Sequence, residues 1–390
     1  MLFWLCIGVV ITQAVFAVLS LRHFTALPVV PTVPRRTGMP RVSIIIPARN
    51  EASILGRLLA SLINLDYGSY EVIVVDDDSS DATHYIAGEF DAILIRSGGP
   101  PPGWTGKAYA CYLGALAATG DWLLFTDADT EHSPLSLAST MGYVADRRLA
   151  ALSVLPSQEL TTFTERLVLP FTYQQFYVGV PGARVNDPHS AATLASGQYM
   201  LIRRDAYERV GGYEAVRRSV VDDVRLAHLM RGRGIRYAIA RAPQLVHASA
   251  YREGAEVWAG FRRISFQFLS LDPGRGALVM LSAVLAALTP ALFALGLQPG
   301  GDAYMLMAGY SYAFLTLGLM SWDRLFHVPA LFGLLQPLSV LAFGLVALTS
   351  GLRAMLGQGI GWKGRVYGGR RTAETTASEQ PQSHQRPPQA

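Results

Sequence analysis

Cysteine is nearly absent from this 390-residue chain. Cys6 and Cys111 are the only two, too few for a disulfide framework or a cysteine-built zinc cluster. Charge is scarce as well. Only 16% of residues are Asp, Glu, Lys or Arg, where soluble domains run at about a quarter. Against that, 51% are hydrophobic and the mean hydropathy is +0.26. These figures exclude a disordered or collagen-like chain and put much of the sequence in lipid. Lysine is the third scarcity: of 33 basic residues, only Lys107 and Lys363 are lysines. Compositional drift accounts for the arginines and makes each surviving lysine a candidate for a role, because ammonium and guanidinium are not interchangeable. The pI near 9.1 does not argue for nucleic acid, and no nucleic-acid partner is expected. Basic side chains beside apolar runs mark the cytoplasmic face of a membrane-embedded chain.

What is present is arranged around those apolar runs. Residues 2–20 are long and apolar enough to cross a bilayer. No basic residue precedes them, and Arg22, Arg35, Arg36 and Arg41 follow. The pattern predicts an uncleaved anchor over 1–21 with its N-terminus outside, rather than a secretory signal. Pro28, Pro31, Pro34 and Pro40 make 22–40 a stiff, extended linker. Three further runs, at 277–297, 303–320 and 328–350, are each of spanning length. An interfacial segment is expected at 263–276, and a basic, then disordered tail over 351–390. One anchor and three spans would leave that tail outside, against the pull of Arg353, Lys363, Arg365, Arg370 and Arg371. Either one run is re-entrant or the charge rule fails. The expectation is a multi-pass protein of the cell membrane, with the 41–262 block and the tail both cytoplasmic.

Residues 41–262 alternate strand-like and helix-like stretches. Strands are predicted at 42–47 (VSIIIP), 70–75, 92–95 and 122–126, with helices over 51–65 and 107–118. The alternation argues for an α/β, Rossmann-like, mostly parallel sheet with flanking helices. Such sheets bind ligands beyond the carboxyl ends of their strands, which is where the polar clusters fall.

Asp76, Asp77 and Asp78 follow a buried strand. They read either as a turn and helix cap opening on Ser79 and Asp81, or as recognition of a nucleoside. Asp127 and Asp129, spaced x-D-x-D after another strand, are either a surface turn or a pair that can share one hard cation, Mg²⁺ or Mn²⁺. Such a cation neutralises a diphosphate leaving group. Lys107, entering a helix behind Gly106, is either a solvated loop residue or a phosphate ligand. Gly197 and Gln198, small and polar before a strand, suggest a floor that a sugar approaches closely. Asp222 and Asp223 either favour a helix dipole or supply a general base.

Taken in order, VSIIIPARNE (42–51), VIVVDDDSSDAT (72–83), GWTGKAYA (103–110), LLFTDADT (123–130), SGQYMLIRRDAYERVGGY (196–213) and VDDVRLAHLMRGRG (221–234) resemble the family 2 glycosyltransferases of GT-A fold. The GW-x-GK box, the anchors and the closing GWKGRVYGGR (361–370) are similar to the hopanoid-associated and carotenoid glycosyltransferases, with ceramide glucosyltransferases more distant. The resemblance implies that Pro47, Arg49 and Glu51 border the nucleotide and that Asp76 or Asp77 contacts base and ribose. It places Lys107 beside the donor, Asp127 and Asp129 on metal and diphosphate, and Asp223 as the base. A Q-x-x-R-W element is missing, which argues against threading a long polysaccharide. In its place Arg263 is the candidate diphosphate clamp and Trp258 an acceptor contact. Trp258, Phe261, Phe266 and Phe268 equally suit an amphipathic helix on the bilayer surface.

The expected activity is inverting transfer of one sugar from a nucleotide sugar, UDP-linked, to a membrane lipid such as a carotenoid or hopanoid. Alternatives are synthesis of a polyprenyl-phosphate sugar or a polysaccharide, and a catalytically inactive membrane scaffold. The scaffold would be expected to have lost an acidic cluster, and none is lost.

Overall fold

A computed structural model describes residues 1–190, 192–249, 273–355, 360–362 and 365–367. Its centre is a seven-stranded sheet formed by β1 (Val42–Ala48), β2 (Tyr70–Asp76), β3 (Ile93–Arg96), β4 (Trp122–Thr126), β6 (Ala151–Leu155), β8 (Tyr199–Arg203) and β9 (Tyr237–Arg241). The order is β3-β2-β1-β4-β8-β6-β9. All strands run parallel except β8, which is antiparallel to both β4 and β6. β1 reads as an unbroken apolar run because both its faces are covered. Ile44 and Ile46 pack with α2 (Leu55–Ile63) and α5 (Ser136–Asp146), and Ile45 packs with α4 (Gly106–Ala117). α3 (Thr83–Gly88), α7 (Arg204–Arg209) and α8 (Asp222–Gly232) complete the helical layers. A small second sheet, β5-β10-β7, joins Thr130–His132, Val246–Ala248 and Ser157–Gln158.

Helix α2 is shorter than the 51–65 pattern predicts. Asn50 takes a left-handed φ of +52°, and the amides of Glu51 and Ala52 donate to Thr83 Oγ1 and Asp81 Oδ2 (2.8 and 3.1 Å). Those amides are committed to α3's first turn, so regular helix starts later.

Among the described residues, three helical stretches are long and apolar enough to cross a membrane: Leu2–Thr25, Gly276–Gly296 and Asp302–Leu325. The first is α1 (Leu2–Thr25), longer than the predicted anchor. The second is α9 (Pro273–Ala287) followed by α10 (Thr289–Gly296), interrupted ahead of Pro290. The third is α11 (Asp302–Leu325). Over the span predicted at 328–350 a 3₁₀ turn at Ala330–Leu335 leads into α12 (Gln336–Met355), and the apolar stretch among the described residues there is Ala330–Val346.

α1 and α11 run side by side in the same direction. Phe3 meets Tyr304 (ring centroids 6.3 Å), Ser311 Oγ donates to Gln13 Oε1 (2.6 Å), and Trp322 Nε1 donates to Ser20 Oγ (3.2 Å). Gln13 Nε2 also donates to the Leu285 carbonyl (2.6 Å), and Thr289 Oγ1 hydrogen-bonds Ser311 Oγ (2.7 Å). The bundle thus carries one internally paired polar ladder.

Two connections bind bundle to sheet. Helix α6 (Phe163–Val178), between β7 and β8, packs among α1, α9, α11 and α12. Tyr177 lies against Phe24 and Trp322, Phe171 against Phe343, and Ser339 Oγ donates to the Leu167 carbonyl (2.7 Å). Beyond α1, the Arg241 amide at the end of β9 donates to the Pro28 carbonyl (2.8 Å), and the Val30 amide donates back to the Arg241 carbonyl (2.9 Å). The extended segment then runs down α5, where Val33 N–H donates to Ser139 Oγ (3.0 Å) and Arg36 pairs with Asp146 (2.6 Å), before β1 begins at the opposite edge. The carboxyl edge of the sheet is therefore the edge where α1 ends.

Candidate active site

At the carboxyl end of β2, Asp76 and Asp77 are each only 4% exposed. Asp76 Oδ1 accepts from the Ser79 amide (3.1 Å), so it shapes the turn. Asp77 Oδ1 accepts from Ser97 Oγ (3.3 Å), beyond the end of β3. Arg49 closes the turn by donating from Nη1 to the carbonyls of Asp77 (2.6 Å) and Asp78 (3.1 Å), and Asp78 takes φ +56°. Pro47 sits within β1 opposite Val75. Pro47, Arg49, Glu51, Asp76 and Asp77 thus form one contiguous rim, and turn-building explains part of it.

One layer further in, α4 starts at an N-cap, Thr105, whose Oγ1 accepts from the Ala108 amide. This aims Lys107 at the end of β4. Lys107 Nζ lies 2.5 Å from Asp127 Oδ1, with the side chains 34% and 27% exposed. Burial works against the ammonium, but Asp127, Asp222 and Asp223 outweigh it and raise its pKa further. Asp222 and Asp223 occupy the first turn of α8. Asp222 is buried. Burial pushes its carboxyl above the ordinary range, while Lys107 holds it back. Asp223 is half-buried, and its Oδ2 accepts from the Gly197 amide (2.8 Å). Gly197 sits between the two groups: a Cβ there would lie 2.8 Å from Lys107 Nζ and 3.4 Å from Asp223 Oδ2. Lys107, Asp127, Gly197, Asp222 and Asp223, drawn from four separate stretches of chain, converge at one place.

The Asp127–Asp129 turn is held from below. Thr126 Oγ1 donates to the Gln198 carbonyl (2.8 Å) and lies 2.9 Å from Thr130 Oγ1 and 3.2 Å from His132 Nε2. Burial pushes the His132 imidazole down to about 3, so it is neutral at this position. Gln158 Nε2 donates to Gln198 Oε1 (3.2 Å), and the Ser249 amide donates to the Asp129 carbonyl (2.9 Å). Beside Asp129 a small cavity is lined by Arg57, Glu131, Glu159 and His247 among others, with Arg57 paired to Glu131 (2.7 Å). Sequence reasoning missed Thr126, Thr130 and His132; their signal was polar residues in two buried strands, where apolar ones are the rule. Trp258 and Arg263 lie outside the described residues.

The sequence profile of Glycosyl transferase family 2 matches residues 43–211. The chain carries a family 2 glycosyltransferase domain. It is 31% identical over 185 residues to the 4,4'-diaponeurosporenoate glycosyltransferase of Staphylococcus haemolyticus (strain JCSC1435), covering 46% of this chain and 49% of that protein. It is 27% identical over 216 residues to the protein of the same name in Staphylococcus aureus (strain USA300), covering 55% and 57%. The chain therefore matches about half the length of these curated relatives. Among solved structures it is similar to the mannosyltransferase PcManGT from Pyrobaculum calidifontis in complex with GDP-Man and Mn²⁺, with TM-score 0.52 at 20% identity, covering 83% of this chain and 100% of that one. The fold of the family 2 domain is GT-A-like, with a mostly parallel sheet and flanking helices.

The domain's carboxylate turn suits a hard divalent cation in the chemistry of its donors, which are oxygens of Asp127 and Asp129 alone. Among the described residues no three His, Cys, Asp or Glu side chains converge to hold an ion by themselves. Mg²⁺ or Mn²⁺ there would take its remaining oxygens from ligand phosphates and water, as these ions commonly do.

Proposed function

We propose that this protein is a membrane-bound, inverting glycosyltransferase that moves one sugar from a nucleotide sugar, UDP-linked, to a lipid acceptor of the carotenoid or hopanoid kind. The observation that carries the reading is the meeting of Lys107, Asp127 and Asp223 around Gly197 on the sheet edge where α1 ends. The rim from Pro47 to Asp77 would bind the nucleoside, with Asp77 accepting from a ribose hydroxyl or base N–H. Lys107 would hold the diphosphate electrostatically. Asp127 and Asp129 would hold Mg²⁺ or Mn²⁺, which when bound stabilises charge on the departing diphosphate. Asp223 Oδ2, fixed by the Gly197 amide, would take the proton from an acceptor hydroxyl as its oxygen attacks the anomeric carbon, or orient the acceptor if that is already a carboxylate. Displacement assisted by a single base inverts the anomeric centre. Gly197 and Gln198 would floor the space where sugar and acceptor meet.

The helices α1, α9–α10 and α11 would cross the cell membrane with the sheet on the cytoplasmic side, leaving a water-insoluble acceptor beside the site. The test is a transfer assay on membranes holding the protein, with UDP- and GDP-sugars, Mg²⁺ or Mn²⁺, a carotenoid acid, a hydroxylated hopanoid and a polyprenyl phosphate. A glycosylated carotenoid or hopanoid with stoichiometric nucleotide release supports the reading. Activity on polyprenyl phosphate alone replaces the acceptor, and silence with every donor overturns the function.

A further inference from the structure

Among the described residues, Asp127, Asp222 and Asp223 bring three carboxylates around Lys107. A nucleoside diphosphate adds further negative charge there, so a further cation on a segment that borders the GW-x-GK loop would favour its binding.

Arg218 is such a cation. It is exposed, and no described carboxylate is paired with it, whereas its neighbour Arg217 leans on Glu214 (3.7 Å). A Cβ placed on Gly103 would come within 3.5 Å of Arg218 Nε and 3.7 Å of Nη2. The guanidinium therefore lies over bare backbone, at a residue whose φ of +84° already excludes most side chains. The two segments are tied together, because the Thr105 amide donates to the Arg217 carbonyl (2.7 Å). The same tie sets Arg218 beside the loop that delivers Lys107 and four residues ahead of the Asp222–Asp223 pair that opens α8.

We infer that Arg218, with the 103–107 loop and Lys107, forms the subsite for the diphosphate of a nucleoside diphosphate. The inference rests on the donor-site reading above and adds to it a residue that neither the motifs nor the comparisons single out. The two cations have different geometries. Lys107 is a point charge locked among carboxylates, while Arg218 offers a planar fork able to take two phosphate oxygens at once.

The test measures calorimetric binding of UDP and GDP, each with Mn²⁺, to the full chain in nanodiscs. Uridine and guanosine binding are followed in parallel by saturation-transfer NMR. Arg218→Ala should weaken whichever diphosphate the wild type binds by about 10–100-fold, the worth of a charge-assisted bidentate contact, and leave nucleoside binding and the melting temperature in place. Arg218→Lys should recover part of the loss, and Arg217→Ala should stay near wild type. Unchanged diphosphate affinity in Arg218→Ala, or an equal loss for the nucleosides, overturns the assignment while sparing the donor site. A wild-type chain that binds neither diphosphate overturns the donor-site reading and the subsite with it.

Discussion

Gly197 sets how near the ammonium of Lys107 and the carboxylate of Asp223 can come. Replacing it by Ala puts a methyl carbon 2.8 Å from Lys107 Nζ, closer than side chains tolerate. The long lysine side chain can swing aside, so stability should change little. Activity should fall more than tenfold, because charge is displaced from where it is needed; parallel melting curves and steady-state rates check this, and a fully active Gly197→Ala enzyme refutes it. Asp223→Asn keeps an acceptor for the Gly197 amide but removes the base. Turnover should drop by about 10²–10⁴-fold with nucleotide binding nearly intact, and near-normal rates would end the assignment. At this scale the sequence was informative where a charged side chain stood at the end of a buried strand, as Asp127 does, or at the start of a helix behind a glycine, as Lys107 does. It was silent on Arg218, one of many arginines, whose distinction is a contact with a glycine 115 positions earlier in the chain.

At the scale of elements, β1, β2 and the entry to β4 are latched at their amino ends by one carboxylate. Glu71 Oε1 accepts from Ser43 Oγ (2.5 Å), the Thr119 amide (2.7 Å) and Thr119 Oγ1 (2.8 Å), while Arg41 lies 3.2 Å from Oε2. Burial opposes its ionisation, yet these donors and Arg41 together hold it down to about 2 against an ordinary 4.5. A depressed carboxylate stabilises the fold fully above its unfolded pKa and loses that contribution as pH falls towards the folded one. Glu71→Ala should therefore cost about 2 kcal/mol at pH 7. The gap in melting temperature between wild type and variant should close between about pH 4.5 and pH 2; a gap independent of pH would show the latch is not electrostatic. β1 and β4 were legible because burial on both faces leaves unbroken runs such as VSIII; β6 and β9, equally buried, were not predicted. Helix α6 was not. Its uncharged stretch holds Gln174 and Gln175 as well as aliphatics, and a helix enclosed on all sides by other helices has no polar face for periodicity to reveal.

For the whole molecule, the bundle and the sheet form one packing unit rather than a tethered pair. The rings of Phe24, Tyr177 and Trp322 pack against one another across α1, α6 and α11, and Arg241 lies over the Phe24 ring (4.9 Å). Removing residues 1–27 should expose the apolar side of α6 and take the Phe24 ring and the Leu27 carbonyl away from the Arg241 side chain. The truncated chain should then aggregate, and size-exclusion chromatography with a melting curve would test this. A monomeric, cooperatively melting truncation would show that α1 is only a tether.

The docking of Pro28 and Val30 on the last strand of the sheet also governs how the proposed enzyme meets its two substrates. With the reactive edge held at the end of α1, the sugar donor arrives by diffusion in three dimensions and the lipid by lateral diffusion in two. Rates should then follow the mole fraction of acceptor in the bilayer rather than its bulk concentration. Diluting the acceptor with inert lipid at fixed total amount should slow turnover, whereas adding more vesicles of unchanged composition should not speed it.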